Sequence, residues 1–231
     1  PQTEAILERA FKTHLASLGR FSAMPFQPLG AQAWIARTGY TGGDGFELFL
    51  PDAHVLRVWD LILTAAGPQG GKPVGLGARD TLRVEAGLRL NGTDMDAATS
   101  PIEAGLDWTV AFNKPEFIGR EVLLKQKREG VARKFVGFEL SQGPVPRQGY
   151  ELTVGGCRVG TVTSGTFSQM LNRPIGMGYV EPSCATLGTE LTMTVRSQRH
   201  IATVVKLPFW KVPAAHPVLS AKTTPTLEQR R

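Results

Sequence analysis

Apolar residues recur at helical spacing at both ends of the first sixty positions, with a glycine-rich break between them. Leu7, Phe11, Leu15 and Leu18 follow Thr3, a capping residue type, and Gly19 closes the run, so a helix is expected over 3–18. Two short apolar runs, 33–36 and 46–49, flank the polar stretch RTGYTGGDG. That pattern predicts a hairpin whose glycines permit positive φ and close backbone approach. Asp52 is expected to cap a second helix with an apolar face of Val55, Val58, Trp59, Ile62 and Leu63, ending at Gly67-Pro68. Val74 and Leu76 suggest a short buried strand, and Asp80 then caps a helix carrying Leu82, Val84 and Ala86 up to Gly87. Further on, 102–112 is again apolar around Trp108, and 119–130 reads as a charged helix burying Val122, Leu123 and Leu124.

The texture changes near Val131. Helical periods stop, and short runs with strand character follow at 134–140, 151–154, 157–163, 175–180, 190–196 and 201–207, separated by turn signals such as Gly155-Gly156. Regular short strands without intervening helices point to a small antiparallel barrel or sandwich. The expected fold class is therefore α+β: a ferredoxin-like α/β layer followed by a small C-terminal antiparallel β-barrel. The expected domains are 1–130 and 131–211, with 212–231 a disordered tail because it has no apolar period.

Charge narrows the function classes. The chain of 231 residues has a formal charge of +6, of which the stretch 212–231, with three basic residues and one acidic, supplies two. The remaining basic residues are interspersed with acids, as in Arg128-Glu129 and Arg83-Glu85, which reads as a solvated surface and not a phosphate-tracking stripe. No nucleic-acid partner is expected, although a modest positive face could steer an acidic protein or an anionic cofactor. No apolar run is long enough to span a membrane and no secretory leader opens the sequence. Cys157 and Cys184 have neither metal-ligand nor redox spacing, so two free thiols in a reducing compartment are expected.

Candidate chemistry is sparse. There is no GxSxG elbow, HExxH pair or phosphate loop, and VGLGARDTL lacks the third glycine of a dinucleotide fingerprint. One polar constellation stands out: Tyr40, Glu47 and Arg79, each beside a glycine-rich connection. Arg79 is expected just before a helix start, where an arginine forks onto a ligand carboxylate or, more plainly, onto Asp80 or Glu85 at the surface. A carboxylate accepting ring N–H groups, with an aromatic and an arginine nearby, suits a pterin or purine-like ligand. An ordinary hairpin with turn glycines remains the alternative.

The motifs RTGYTGGDGFELFLP, VGLGARDTLRVEAGLRLNG, SPIEAGLDWTV, FIGRE, VGFEL, VPRQGYEL, VGTVTSGTFSQMLNRPIGMGYV and KLPFW, in that order, resemble the T-protein (aminomethyltransferase) of the glycine cleavage system over its C-terminal two-thirds. The resemblance implies transfer of an aminomethyl group from lipoylated H-protein to tetrahydrofolate with release of ammonia, in the cytoplasm or, for a eukaryotic source, the mitochondrial matrix. It implies that Tyr40, Glu47 and Arg79 bind tetrahydrofolate, Glu47 at the pterin end. Gly43 stands where the family usually has glutamate, and a local loop effect is expected. The family's catalytic aspartate belongs to a first half without counterpart here, so no catalytic residue is expected in this chain, and Asp80, Asp94 and Asp96 are not candidates. The alternatives are a non-catalytic folate-binding module, against which the absence of a KGCYxGQE-type cysteine motif argues, and a folate-dependent demethylase.

Overall fold

A computed structural model describes residues 2–211, which divide into two compact units, one ending at Gly75 and the other running from Leu76 to Lys211. The stretch 212–231, expected to be a disordered tail, lies outside the described residues.

The first unit packs two helices on one face of a three-stranded antiparallel sheet. Helix α1 spans Thr3–Phe11 and ends where Lys12 turns left-handed. It is shorter than its apolar period suggests. Leu15 and Leu18 are buried with Leu7 but come from the following turns, and the Leu15 amide donates to the Glu8 carboxylate at 2.7 Å. The spacing was that of a core face, and a non-helical segment supplied half of it.

Strands β1 (Ala23–Phe26), β2 (Ala33–Ala36) and β3 (Glu47–Phe49) lie in the order β1-β2-β3. Register puts Met24, Ile35 and Leu48 side by side on the inner face, and Pro25, Trp34 and Phe49 on the outer. The inner row joins Leu7, Phe11, Phe26 and Ile62, with the Phe11 and Phe26 rings edge to face at 5.0 Å. Helix α2 spans Asp52–Ala66. Pro51 holds the cap position and Asp52 is the first helical residue, its carboxylate taking the Ala53 amide at 2.8 Å. Only Val58 and Ala66 of this helix are fully buried, while Val55 and Trp59 of the expected face are exposed.

In the second unit, helix α3 runs Leu76–Glu85. The expected strand at 74–76 is absent, because the two residues read as its core are helix and approach: Leu76 opens α3 and Val74 is exposed. Asp80 is consequently inside the helix, not at its cap. Trp108 is exposed in a short 3-10 turn, and helix α4, Arg120–Glu129, buries none of its residues fully, with Val122 exposed.

Strands β4 (Lys134–Glu139), β5 (Glu151–Val154), β6 (Cys157–Ser168), β7 (Arg173–Val180), β8 (Glu190–Val195) and β9 (Gln198–Val205) close into an antiparallel barrel ordered β4-β7-β6-β5-β8-β9. Closure removes the unpaired edges that an open sheet exposes. Val136, Phe138, Leu152, Val162, Leu191 and Met193 fill the interior, while Phe135, Ile175, Met177 and Tyr179 project outward against Val84 of α3 and Leu207. Residues of β7 are buried on both faces, which is why that strand reads as a nearly continuous apolar run. The fold class is thus α+β with a C-terminal antiparallel barrel.

Candidate functional site

Tyr40 and Glu47 belong to the first unit and Arg79 to the second. Tyr40 is half-buried in the irregular segment between β2 and β3, and Glu47 is the exposed first residue of β3. The Thr38 hydroxyl donates to Glu47 Oε2, which fixes the carboxylate's direction at the strand mouth.

The segment carrying both residues is clamped by Arg37. Its guanidinium gives a two-point fork to Asp44, Nε to Oδ1 at 2.9 Å and Nη2 to Oδ2 at 2.6 Å, and Nη2 also pairs with Glu4 of α1 at 2.8 Å. Nη1 donates to the Leu18 carbonyl at 3.2 Å, and the group sits 5.2 Å from the Phe46 ring centre. The hydrogen bond from Arg37 holds the Asp44 carboxyl below its ordinary range against the opposing effect of burial, and the same bond raises Arg37. Of the glycines in the segment, Gly42 has φ of 74°, a conformation that favours glycine. Gly39 and Gly45 differ: their φ is ordinary and a Cβ would meet open space. Nothing in the chain's own packing requires those two positions to be bare.

Arg79 is an exposed residue within α3, one turn in, and not at a strand-to-helix turn. Of the surface partners weighed for it, Asp80 also bonds Arg83, and Glu85 is buried and bonds Ser168.

Arg83 and Glu85, read from the sequence as solvated charges, are 2% and 3% exposed. The reason is a buried polar network joining α3 and its following loop to the barrel. Arg83 donates to Asp80 at 2.7 Å, to Asp94 Oδ2 at 2.5 Å and to Ser164 Oγ at 2.8 Å. Asp94 also accepts the Leu90 amide, the Thr163 hydroxyl and the Ser164 hydroxyl, while Tyr179 donates to its carbonyl. Consecutive strand residues ordinarily face opposite ways; the register shift between Val162 and Ser164 is what lets both hydroxyls reach one carboxylate. Burial opposes the charge on Arg83, but Asp80 and Asp94 outweigh it and raise the group. Burial pushes the Tyr179 phenol up to about 12. A carboxylate with this many donors is a structural joint with its lone pairs committed, which suits holding two elements together and not moving protons. Sequence reasoning missed both ion clusters, although Arg37 with Asp44 and Arg83 with Asp80 lie close in sequence at spacings that allow contact.

Among the described residues no group of histidine, cysteine and carboxylate side chains could hold a metal, and no helix is long and apolar enough to cross a membrane. Cys157 is exposed, Cys184 is buried, and both are free thiols.

The chain matches a family of proteins with two named domains. Residues 1–114 match the GCVT N-terminal domain and residues 133–211 match the glycine cleavage T-protein C-terminal barrel domain. The chain belongs to the glycine cleavage T-protein family. It is similar to proteins named aminomethyltransferase from Desulforamulus reducens, with 47% identity over 91% of this chain and 58% of the relative, and from Halothermothrix orenii, with 46% identity over 90% and 58%. Among solved structures it resembles the glycine cleavage system aminomethyltransferase T from Bartonella henselae, with a TM-score of 0.83 and 35% identity over 91% of this chain and 58% of that one. The chain therefore spans under three-fifths of the length of these relatives.

Proposed function

We propose that this chain is part of a tetrahydrofolate-dependent aminomethyltransferase, which accepts the aminomethyl group from the lipoyl arm of H-protein, releases ammonia and passes the one-carbon unit to tetrahydrofolate. The observation that carries this is the pair of T-protein domain matches in series along the chain, together with relatives named aminomethyltransferase. The role of this chain in that reaction is binding. Tyr40, Glu47 and Arg79 contact the folate: Glu47 accepts N–H groups of the pterin edge, Tyr40 offers an aromatic face, and Arg79 presents a cation to a folate carboxylate. Support for Glu47 comes from its exposed, hydroxyl-oriented carboxylate, and support for a ligand beside the segment comes from the open space at Gly39 and Gly45. Asp94 is not proposed as a catalytic acid, since its buried carboxylate is committed to Arg83, Thr163, Ser164 and the Leu90 amide, and Asp80 pairs with Arg83. The catalytic aspartate belongs to the share of the relatives that this chain does not span. A domain boundary near Val131 is part of the same proposal, supported by the unmatched interval between residues 114 and 133.

The test uses the protein at the full length of its relatives. Glu47→Gln and Arg79→Ala are each expected to weaken tetrahydrofolate binding by about 1–3 kcal/mol, read by fluorescence titration. Unchanged titration in both variants overturns the site assignment. Turnover of aminomethyl-loaded H-protein, with no reaction on free methylated amines, is the outcome that separates this activity from folate-dependent demethylation.

A further inference from the structure

The open mouth of the barrel collects cations that no carboxylate holds. Strand pairing decides which side chains turn there. In the β8–β9 ladder Met193 lies opposite His200 and Val195 opposite Gln198, and residues directly across an antiparallel pair project to the same face. Met193 and Ala202 are buried in the barrel interior, so His200 and Gln198 continue that inward row past the packed layer. Arg147 enters from the segment preceding β5, and Arg196 from the two-residue turn joining β8 to β9. Together with Pro144, Val145 and Tyr150 these residues line a depression of about 600 Å³, a size that suits a small organic molecule.

Two observations set this place apart. Four arginines elsewhere on the same unit sit against acids, Arg83 with Asp94, Arg133 with Glu103, Arg158 with Glu151 and Arg173 with Glu139, whereas the two that line this one depression do not. Among the described residues no acid lines the mouth, and Arg147 and Arg196 make no ion pair or side-chain hydrogen bond. Secondly, the turn is built against its backbone preference. Arg196 and Ser197 have φ of 46° and 67°, positions where asparagine and glycine are the favoured pair. An arginine is thus held at the rim in a conformation its own backbone disfavours.

We infer that the barrel mouth binds a small phosphate-bearing molecule with a planar body. Two guanidinium groups converge on the phosphate oxygens, where their forked donors match a dianion better than a single carboxylate. His200 and Gln198 add donors from the inward row, and Val145 and Tyr150 meet the planar body. This site is independent of folate binding and of the proposed transferase activity.

Adenosine monophosphate is the probe, with adenosine and inorganic phosphate as its two halves. Titration followed by calorimetry and by the backbone amide signals of residues 143–150 and 195–200 is expected to show saturable binding of the nucleotide, competition by phosphate and none of this with adenosine. Arg147→Ala and Arg196→Gly are each expected to weaken the nucleotide about tenfold. Glycine relieves the turn at 196, so loss of binding there is accompanied by an unchanged or higher melting temperature and is not unfolding. Arg158→Ala, outside the mouth, leaves binding unchanged. The inference is overturned if no saturable binding occurs at millimolar nucleotide, if adenosine binds equally well, or if Arg147→Ala and Arg196→Gly both titrate like the wild type. Because tetrahydrofolate is absent from every arm, failure here leaves the folate site untouched, and failure of the folate variants leaves this one untouched.

Discussion

At the scale of single residues, Arg37 shows how an ion cluster sets the shape of a ligand-facing segment. Lysine at 37 keeps the charge but loses the planar fork, so it cannot satisfy Asp44 at two points while also reaching Glu4 and the Leu18 carbonyl. Arg37→Lys is expected to lower stability by about 1–3 kcal/mol, measured by urea unfolding. The pH dependence has a definite sign. Asp44 titrates lower in the folded state than its ordinary 3.8, so the folded chain binds fewer protons there than the unfolded chain. Its stabilisation is fully present above that ordinary value and is lost as pH falls through the depressed one. Melting curves of the wild type and Asp44→Asn are therefore expected to differ at pH 6 and to converge in strong acid. A gap that persists unchanged at pH 2 contradicts the assignment. The motif RTGYTGGDGFE made Tyr40 and Glu47 stand out, because an aromatic residue among glycines and an acid opening the following apolar run are conspicuous. It did not reveal the clamp, because Arg37 and Asp44 look like ordinary surface charges until the chain folds one onto the other.

At the scale of elements, the barrel was legible and the helix boundaries of α1 and α3 were not, for physical reasons. Strands of period two separated by short turn signals leave little freedom, and the runs beginning at Lys134, Glu151, Cys157 and Glu190 start where the strands do. Around α1 and α3 the same apolar spacing is satisfied by helix, by turn or by approach segment, because burial selects a face and not a backbone conformation. What the pattern could not show is how closely β6 and β7 approach. A Cβ on Gly160 would lie 2.2 Å from the Tyr179 carbonyl oxygen, and one on Gly178 would lie 2.3 Å from that of Thr161. Both obstacles are backbone, so the strands must separate. Gly160→Ala and Gly178→Ala are each expected to cost about 1–3 kcal/mol or more, whereas Gly149→Ser, with open space but φ of 87°, loses only the smaller left-handed penalty. The joint at Asp94 works at the same scale. Asp94→Ala leaves Arg83 buried without its closest acid and strands the Thr163 and Ser164 hydroxyls, so a loss of about 3–5 kcal/mol is expected by calorimetry.

At the scale of the whole molecule, the outer face of the first unit's sheet is the feature that bears on what surrounds it. Trp34 and Phe49 are directly paired across β2 and β3, yet they remain 53% and 58% exposed, with Pro25 beside them in the same row. A cross-strand aromatic pair on a solvated face forgoes most of the roughly 25 cal/mol per Å² that burial of its apolar area provides. Isolated exposed apolar residues need no explanation, but a row spanning three strands marks a surface that something else covers. The chain spans 58% of the length of the relative from Desulforamulus reducens, and the expected cover is the share of the family length that it does not span. In the chain alone, iodide is expected to quench Trp34 fluorescence readily, isolated by comparison with Trp34→Phe, and a hydrophobic dye is expected to bind. In the protein at full family length both signals should fall. Trp108, also exposed, provides the internal reference: its quenching is followed through Trp108→Phe in both lengths of protein. If Trp34 is quenched equally at either length, the remaining share does not lie on this sheet, and the apolar row belongs to a partner instead.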